Sequence, residues 1–256
     1  MAGETIKIAR SDNYVTLSLN RPEKRNALNQ ALLSDLDQAL ASIENDKEIR
    51  AVVVRAEGRV FSSGLDLAEV DRIEGEHNPA NIQRVFYRLE QFPVPTIAAV
   101  NGAALAGGLE LALHCDLRIA GEGARLGMTV TRVGLVPPFD FTRKLIEVLG
   151  APATNRILFT GEPVGAREAL AMGMVHEVVP DAELEETTRV WAEKVASNAP
   201  LALRAVKASI RRCMSTAYTA EHSDVDKMVR EVRKSLDAKE GVRAFLEKRK
   251  PVWRAE

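Results

Sequence analysis

The stretch AVNGAALAGGLELALHCDLRIA, residues 99–120, decides how the chain is read. With Ile97 and Ala98 in front of it, the run is about as long as a bilayer span, which takes roughly 20 residues. It carries Asn101, Glu110, His114, Asp116 and Arg118, too many polar groups for a lipid-facing helix. Thr96 to Val100, preceded by Pro93 and Pro95, is suited to a buried parallel strand, and the Gly- and Ala-rich residues after it make a turn that can end in a helix. Glu110 is the one acid in the middle of this segment. A carboxylate among Ala, Gly and Leu is expensive to bury unless it is paired or faces a site; the plain alternative is a first-turn glutamate favoured by the helix dipole.

Outward from this segment the pattern is α/β. Tyr14 to Leu19 alternates with period two, Arg21-Pro22 breaks the run, and residues 29–45 carry apolar side chains at helical spacing. Ala51-Val52-Val53-Val54 is a second buried-strand candidate, so strands separated by helices predict crossover units and a sheet covered on its faces. From about Phe141 the pattern turns mostly helical, with one strand candidate at 175–179 and breaks at Gly150, Pro163, Pro180 and Pro200. Residues 181–198 and 201–214 read as amphipathic helices. The segment Gly241 to Lys250 reads as short, basic and anchored by Phe245 and Leu246.

Composition narrows the function. Thirty-five basic against 36 acidic residues give no net attraction for nucleic acid or an anionic membrane surface. The 256-residue length and 46% hydrophobic content allow a core that needs no disulfide. Cys115 and Cys213 form no CxxC pair, and MAGETIKIAR is no secretory start, so a reducing cytoplasmic compartment is expected. There is no Walker loop, no GxGxxG after a strand, no GxSxG elbow and no HExxH. The four histidines, His77, His114, His176 and His222, lack ligand spacing, and no metal is expected.

Two glycine-containing turns then stand out, FSSGLDL (61–67) after the Val52 strand and NGAALAGGLE (101–110) after the Ile97 strand. One reading is that they only let helices pack closely on the sheet. The other is that two neighbouring strand ends aim two amides at one carbonyl oxygen, as in an oxyanion hole.

Together with RPEKRNALN (21–29), FTGEPVGAREALAMGMVHEVV (159–179) and AFLEKRKP (244–251), these segments resemble the crotonase superfamily, the enoyl-CoA hydratase/isomerase family, in order and over nearly the whole chain. The resemblance implies an α/β, crotonase-like spiral of ββα units over residues 1–195, and a helical C-terminal trimerisation region over 196–256. It implies an acyl-CoA substrate, no cofactor beyond the CoA moiety of that substrate, and a homotrimer or homohexamer. The thioester oxygen would be held by the amides of Leu65 and Gly107, where negative charge develops as the thioester enolises. Glu110 would be the acid/base. Lys24, Ala27, Ser63, Asp66, Leu67, Phe245 and Lys248 match positions that contact CoA; helix capping for Asp66, a solvated tail for Lys248 and a core anchor for Phe245 are the structural alternatives.

The sequence departs from typical hydratases at one point. Those enzymes use two glutamates, and the position of the second falls on Val130, which transfers no proton. The Gly-rich turn that follows in the family is PPFDF here, residues 137–141. Three repairs are expected alternatives: Glu110 works alone, Asp140 reaches in from the altered turn, or the reaction needs chiefly the oxyanion hole, as decarboxylation of a malonyl-type CoA does. A CoA- or RNA-binding family member with altered catalysis is the non-enzymatic alternative. Asp140 also reads as a helix start, Arg132 as a substrate-carboxylate contact or a surface residue, and His114 as a core histidine.

Overall fold

The alternating and β-branched runs become strands in the computed structural model, which describes residues 4–67, 79–215 and 223–253. Among the described residues nine strands are present: β1 (Ile6–Arg10), β2 (Tyr14–Leu19), β3 (Ala51–Ala56), β4 (Thr96–Val100), β5 (Ala103–Leu105), β6 (Leu117–Gly121), β7 (Arg125–Gly127), β8 (Val164–Gly165) and β9 (Glu177–Val179). Six of them make the main sheet in the order β1-β2-β3-β4-β6-β9, and β5-β7-β8 make a smaller one. The β1–β2 hairpin is antiparallel, and every other pair in the main sheet is parallel.

Parallel neighbours need crossovers, and helices supply them. Helix α1 (Gln30–Ile43) starts at Asn29, whose side chain accepts from the Leu32 amide at 3.0 Å, and buries Leu32, Leu36, Leu40 and Ile43 on one face. Helix α2 (Pro79–Glu90) adds Val85, Phe86 and Leu89 to the same core. Side chains alternate across β3, so Val52 and Val54 join this core while Val53 joins a second one on the opposite face with Ile97, Ile119 and Ala192. A strand buried on both faces must be apolar without interruption, which explains the Val52–Val54 run.

Helix α3 (Gly107–Leu113) follows β5 and is buried along its whole length. The remaining helices are α4 (Phe139–Thr160), α5 (Ala166–Ala171), α6 (Leu184–Ala196), α7 (Pro200–Ser215), α8 (Ser223–Lys234) and α9 (Leu236–Leu246). Helix α4 bends at Gly150, where φ is 72°. Among the described residues no helix is long and apolar enough to cross a membrane.

The C-terminal anchor differs from the sequence expectation. Phe245 and Leu246 are 58% and 43% exposed, and α9 is held instead by small residues, Ala238, Gly241, Val242 and Ala244. A Cβ on Gly241 would lie 2.2 Å from the Val133 carbonyl oxygen, so the missing side chain sets how closely α9 meets the turn at 130–134.

Helix α7 is tied to the core by a buried ion pair. The Lys207 ammonium, 5% exposed, donates to Asp116 Oδ2 at 2.6 Å and to the Val94 carbonyl at 3.1 Å. The same Asp116 oxygen accepts from the amide and the hydroxyl of Thr96 at 2.7 and 3.0 Å. Removing one member of such a pair leaves an uncompensated charge at a cost of about 3 kcal/mol. Asp116→Ala therefore lowers the unfolding free energy read from urea denaturation by that amount, and adding Lys207→Met recovers part of the loss.

Candidate active site

The site begins with a buried asparagine. Asn26, fully enclosed and with φ 51°, donates to the carbonyls of Glu57 and Val60 at 2.9 and 2.7 Å and accepts from the Arg21 amide at 2.8 Å. It thereby fastens the 21–28 loop to the loop after β3. Ser62, also fully buried, donates from its hydroxyl to the Asn26 carbonyl at 2.8 Å and accepts from the Gly64 amide at 3.2 Å. Its backbone pairs with β5: the Ser62 amide donates to Ala103 and the Leu105 amide to Ser62, each at 3.0 Å. These contacts bring the two glycine-containing turns together.

The approach is too close for a side chain on Gly64. A Cβ on Gly64 would lie 2.9 Å from Ala106 Cβ and 3.3 Å from the Gly107 nitrogen, and one on Gly107 would lie 3.7 Å from the Leu65 nitrogen. Ala106, at φ 49° and ψ −119°, holds a backbone shape that favours glycine, and it turns the chain into α3. Gly107 is the first residue of α3, so its N–H has no intrahelical acceptor. Among the described residues, no backbone hydrogen bond takes the N–H of Leu65 or of Gly107. Two neighbouring, uncommitted amides are the donor set that a developing oxyanion requires.

One turn into α3 stands Glu110, 5% exposed. Burial pushes its carboxyl up to about 8, the nearby negative charge of Asp140 adding to the rise. Two groups oppose it: the Gln83 carboxamide of α2, which donates to Glu110 Oε1 at 3.2 Å, and the positive charge of Arg233 on α8. Among the described residues no cation lies within ion-pair distance of Glu110. It is in the first turn of its helix, as the dipole argument expects, and it is also a buried acid poised near neutral pH.

The other candidates fall in different places. Asp140 lies in the first turn of α4, with Pro138 at the N-cap; its side chain is 55% exposed and pairs with Arg143 at 3.1 Å. Val130 is partly buried against the main core, and Arg132 is exposed. His114 is a core histidine: its Nδ1 donates to the Glu110 carbonyl at 2.8 Å, and its ring lies 5.6 and 6.4 Å from those of Phe86 and Phe141. Burial lowers its pKa.

Of the CoA set, Lys24 is exposed at the end of a short 3₁₀ turn, and Ala27 is buried. Ser63 donates its amide to the Arg25 carbonyl at 3.1 Å. Asp66 pairs with Arg21 at 3.3 Å, and Leu67 is half-buried. These five share one end of the sheet with Leu65. Phe245 and Lys248 lie at the exposed end of α9, and no hydrogen bond or ion pair among the described residues joins them to that group.

Gln83 and Arg233 are the site residues that sequence reading missed. Gln83 has no motif around it, and Arg233 sits in VREVRKS, a charged run that reads as a solvated face.

The raised Glu110 pKa has a sign for stability. The unfolded chain releases this proton at the ordinary value of 4.5, while the folded chain keeps it to about 8. Stability is therefore fully present below 4.5 and falls as pH rises towards 8. Glu110→Gln removes the penalty and stabilises the fold by about 3 kcal/mol at pH 7. Urea unfolding at pH 5 and pH 8 checks it: the gap between variant and parent widens with pH, and a constant gap would mean that Glu110 ionises normally.

Comparison with known proteins gives a consistent answer. The model of the family Enoyl-CoA hydratase/isomerase matches residues 10–256. The short-chain-enoyl-CoA hydratase of Clostridium acetobutylicum is 36% identical over 247 residues, 95% of each chain. A putative enoyl-CoA hydratase of Thermus thermophilus is 39% identical over 91% of this chain and 94% of its own. Among solved structures, methylmalonyl-CoA decarboxylase in complex with 2-nitronate-propionyl-CoA superposes with a TM-score of 0.92 at 30% identity, covering all of both chains. The paired turns, the acid that follows them and these matches place the chain in one family: it belongs to the enoyl-CoA hydratase/isomerase family and has the crotonase fold.

Proposed function

We propose that the protein adds water across the double bond of a 2-enoyl-CoA thioester, with the amides of Leu65 and Gly107 on the thioester oxygen and Glu110 as the acid/base. One observation carries this: a buried, proton-holding carboxyl lies one helical turn from two adjacent free amides. The relatives named as enoyl-CoA hydratases support it.

CoA binding is assigned to the same end of the sheet, with backbone around Lys24, Ala27 and Ser63, together with Asp66 and Leu67, on the nucleotide and pantetheine portions. Phe245 and Lys248, exposed on α9, then serve the CoA of a neighbouring subunit. A homotrimer or homohexamer fits the apolar side chains left open on α7, where Leu201, Val206 and Ile210 are 80%, 56% and 59% exposed. Cys115 and Cys213, which form no disulfide among the described residues, support a cytoplasmic setting. A net charge of −1 gives an RNA-binding role no electrostatic support.

A second reading, decarboxylation of a malonyl-type CoA, is favoured by Val130 in place of the second acid and by the likeness to methylmalonyl-CoA decarboxylase. The pH dependence separates the two. In hydration Glu110 must be ionised to take a proton from water, so kcat/KM on crotonyl-CoA rises as pH climbs through about 8. In decarboxylation Glu110 must hold the proton that the enolate receives, so CO₂ release from methylmalonyl-CoA falls over the same range. Glu110→Gln lowers the true reaction about 100-fold or more. Steady-state assays with both thioesters from pH 6 to pH 9 decide between the readings; turnover of neither by the parent enzyme overturns both.

A further inference from the structure

The site has one buried acid where paired-acid hydration uses two, yet a second polar side chain touches that acid. Gln83 reaches across from α2 and donates from Nε2 to Glu110 Oε1 at 3.2 Å. A carboxamide has two ends. With Nε2 committed to Glu110, Oε1 remains an acceptor, and among the described residues no hydrogen bond reaches it. Val130, at the sequence position of the second acid, is apolar. Asp140 is turned outward to Arg143, so among the described residues Gln83 is the one uncharged polar side chain hydrogen-bonded to the Glu110 carboxyl.

We propose that Gln83 takes the place of the missing second acid by holding the attacking water against Glu110. The inference rests on the hydratase reading of the site. The water donates one hydrogen to Glu110 and the other to Gln83 Oε1, which leaves its lone pair facing the β-carbon. As the C–O bond forms, the π electrons of the enoyl double bond shift onto the thioester, and the oxygen that takes the charge lies on the Leu65 and Gly107 amides. The proton bound for Glu110 moves to its carboxylate, and the hydrogen facing Gln83 stays on the new hydroxyl. Glu110 then returns its proton to the α-carbon as the thioester carbonyl reforms. Both atoms added to the double bond come from one water, and neither an oxidant nor a second acid is needed. Gln83 transfers no proton, so its task is one that a carboxamide can perform.

The test compares two reactions of one site, one that needs the water and one that does not. Hydration of crotonyl-CoA needs it; exchange of the α-hydrogens of butyryl-CoA with D₂O needs Glu110 and the oxyanion donors alone. On the high-pH plateau, where Glu110 is ionised with or without its Gln83 contact, Gln83→Met is expected to lower kcat for hydration about 100-fold, with KM for crotonyl-CoA and the rate of α-exchange within threefold of the parent. Gln83→Glu, which restores a water-holding oxygen, is expected to hydrate at least tenfold faster than Gln83→Met. Hydration by Gln83→Met within threefold of the parent overturns the proposal. So does an equal loss of hydration and exchange, because Gln83 would then act only by orienting Glu110. Exchange without hydration in the parent enzyme overturns the hydratase reading itself, a result distinct from any failure of the variants.

Discussion

Two stretches of backbone, distant in sequence, have to run so close together that one of them carries no side chain at the point of contact. The rest of the molecule serves this constraint. Gly64 and Gly107 are the residues that touch, and a Cβ on Gly64 would lie 2.9 Å from Ala106. Hydrogen bonds from Asn26 and Ser62 hold the loops at that distance, and the β5 pairing continues the contact into the smaller sheet. The parallel order of β2, β3 and β4 places both turns at the same end of the main sheet, so the fold is what makes the approach possible. The proposed oxyanion hole is made of backbone, which is insensitive to the side chain at one of its positions, so a leucine suits one of the two amides.

The acid beside these two turns is held at a cost. Burial disfavours its charge, and the two groups that favour the charge, Gln83 and Arg233, do not cancel the penalty. The carboxyl is consequently close to half-ionised just above neutral pH, where a group can both accept and return a proton. Such sites trade stability for function. The Lys207–Asp116 pair, in which the lysine is buried, works in the other direction: it neutralises itself and fastens α7 to the sheet.

Much of this was legible in the sequence, for physical reasons that differ by residue. The Val52–Val54 run and the alternation at Tyr14–Leu19 are local patterns imposed by burial on two faces or one, and they became β3 and β2. Glu110 was visible because an acid is conspicuous in an apolar segment. The strands β5, β7 and β8, two or three residues long, carry too little pattern to be seen. Phe245 and Leu246 were expected as anchors because large apolar residues usually are; small residues hold α9 because it lies almost against the backbone of Val133. Gln83 and Arg233 matter only through contacts made across the fold, and composition near them says nothing of what they face.

The position of Arg233 bears on the order in which a working site comes into being. The ribosome delivers Leu65, Gln83, Gly107 and Glu110 in the first half of the chain, and the guanidinium that eases ionisation of the acid arrives only with α8. The last helices to be made thus complete the electrostatics of a site whose paired turns and acid come from the first half of the chain.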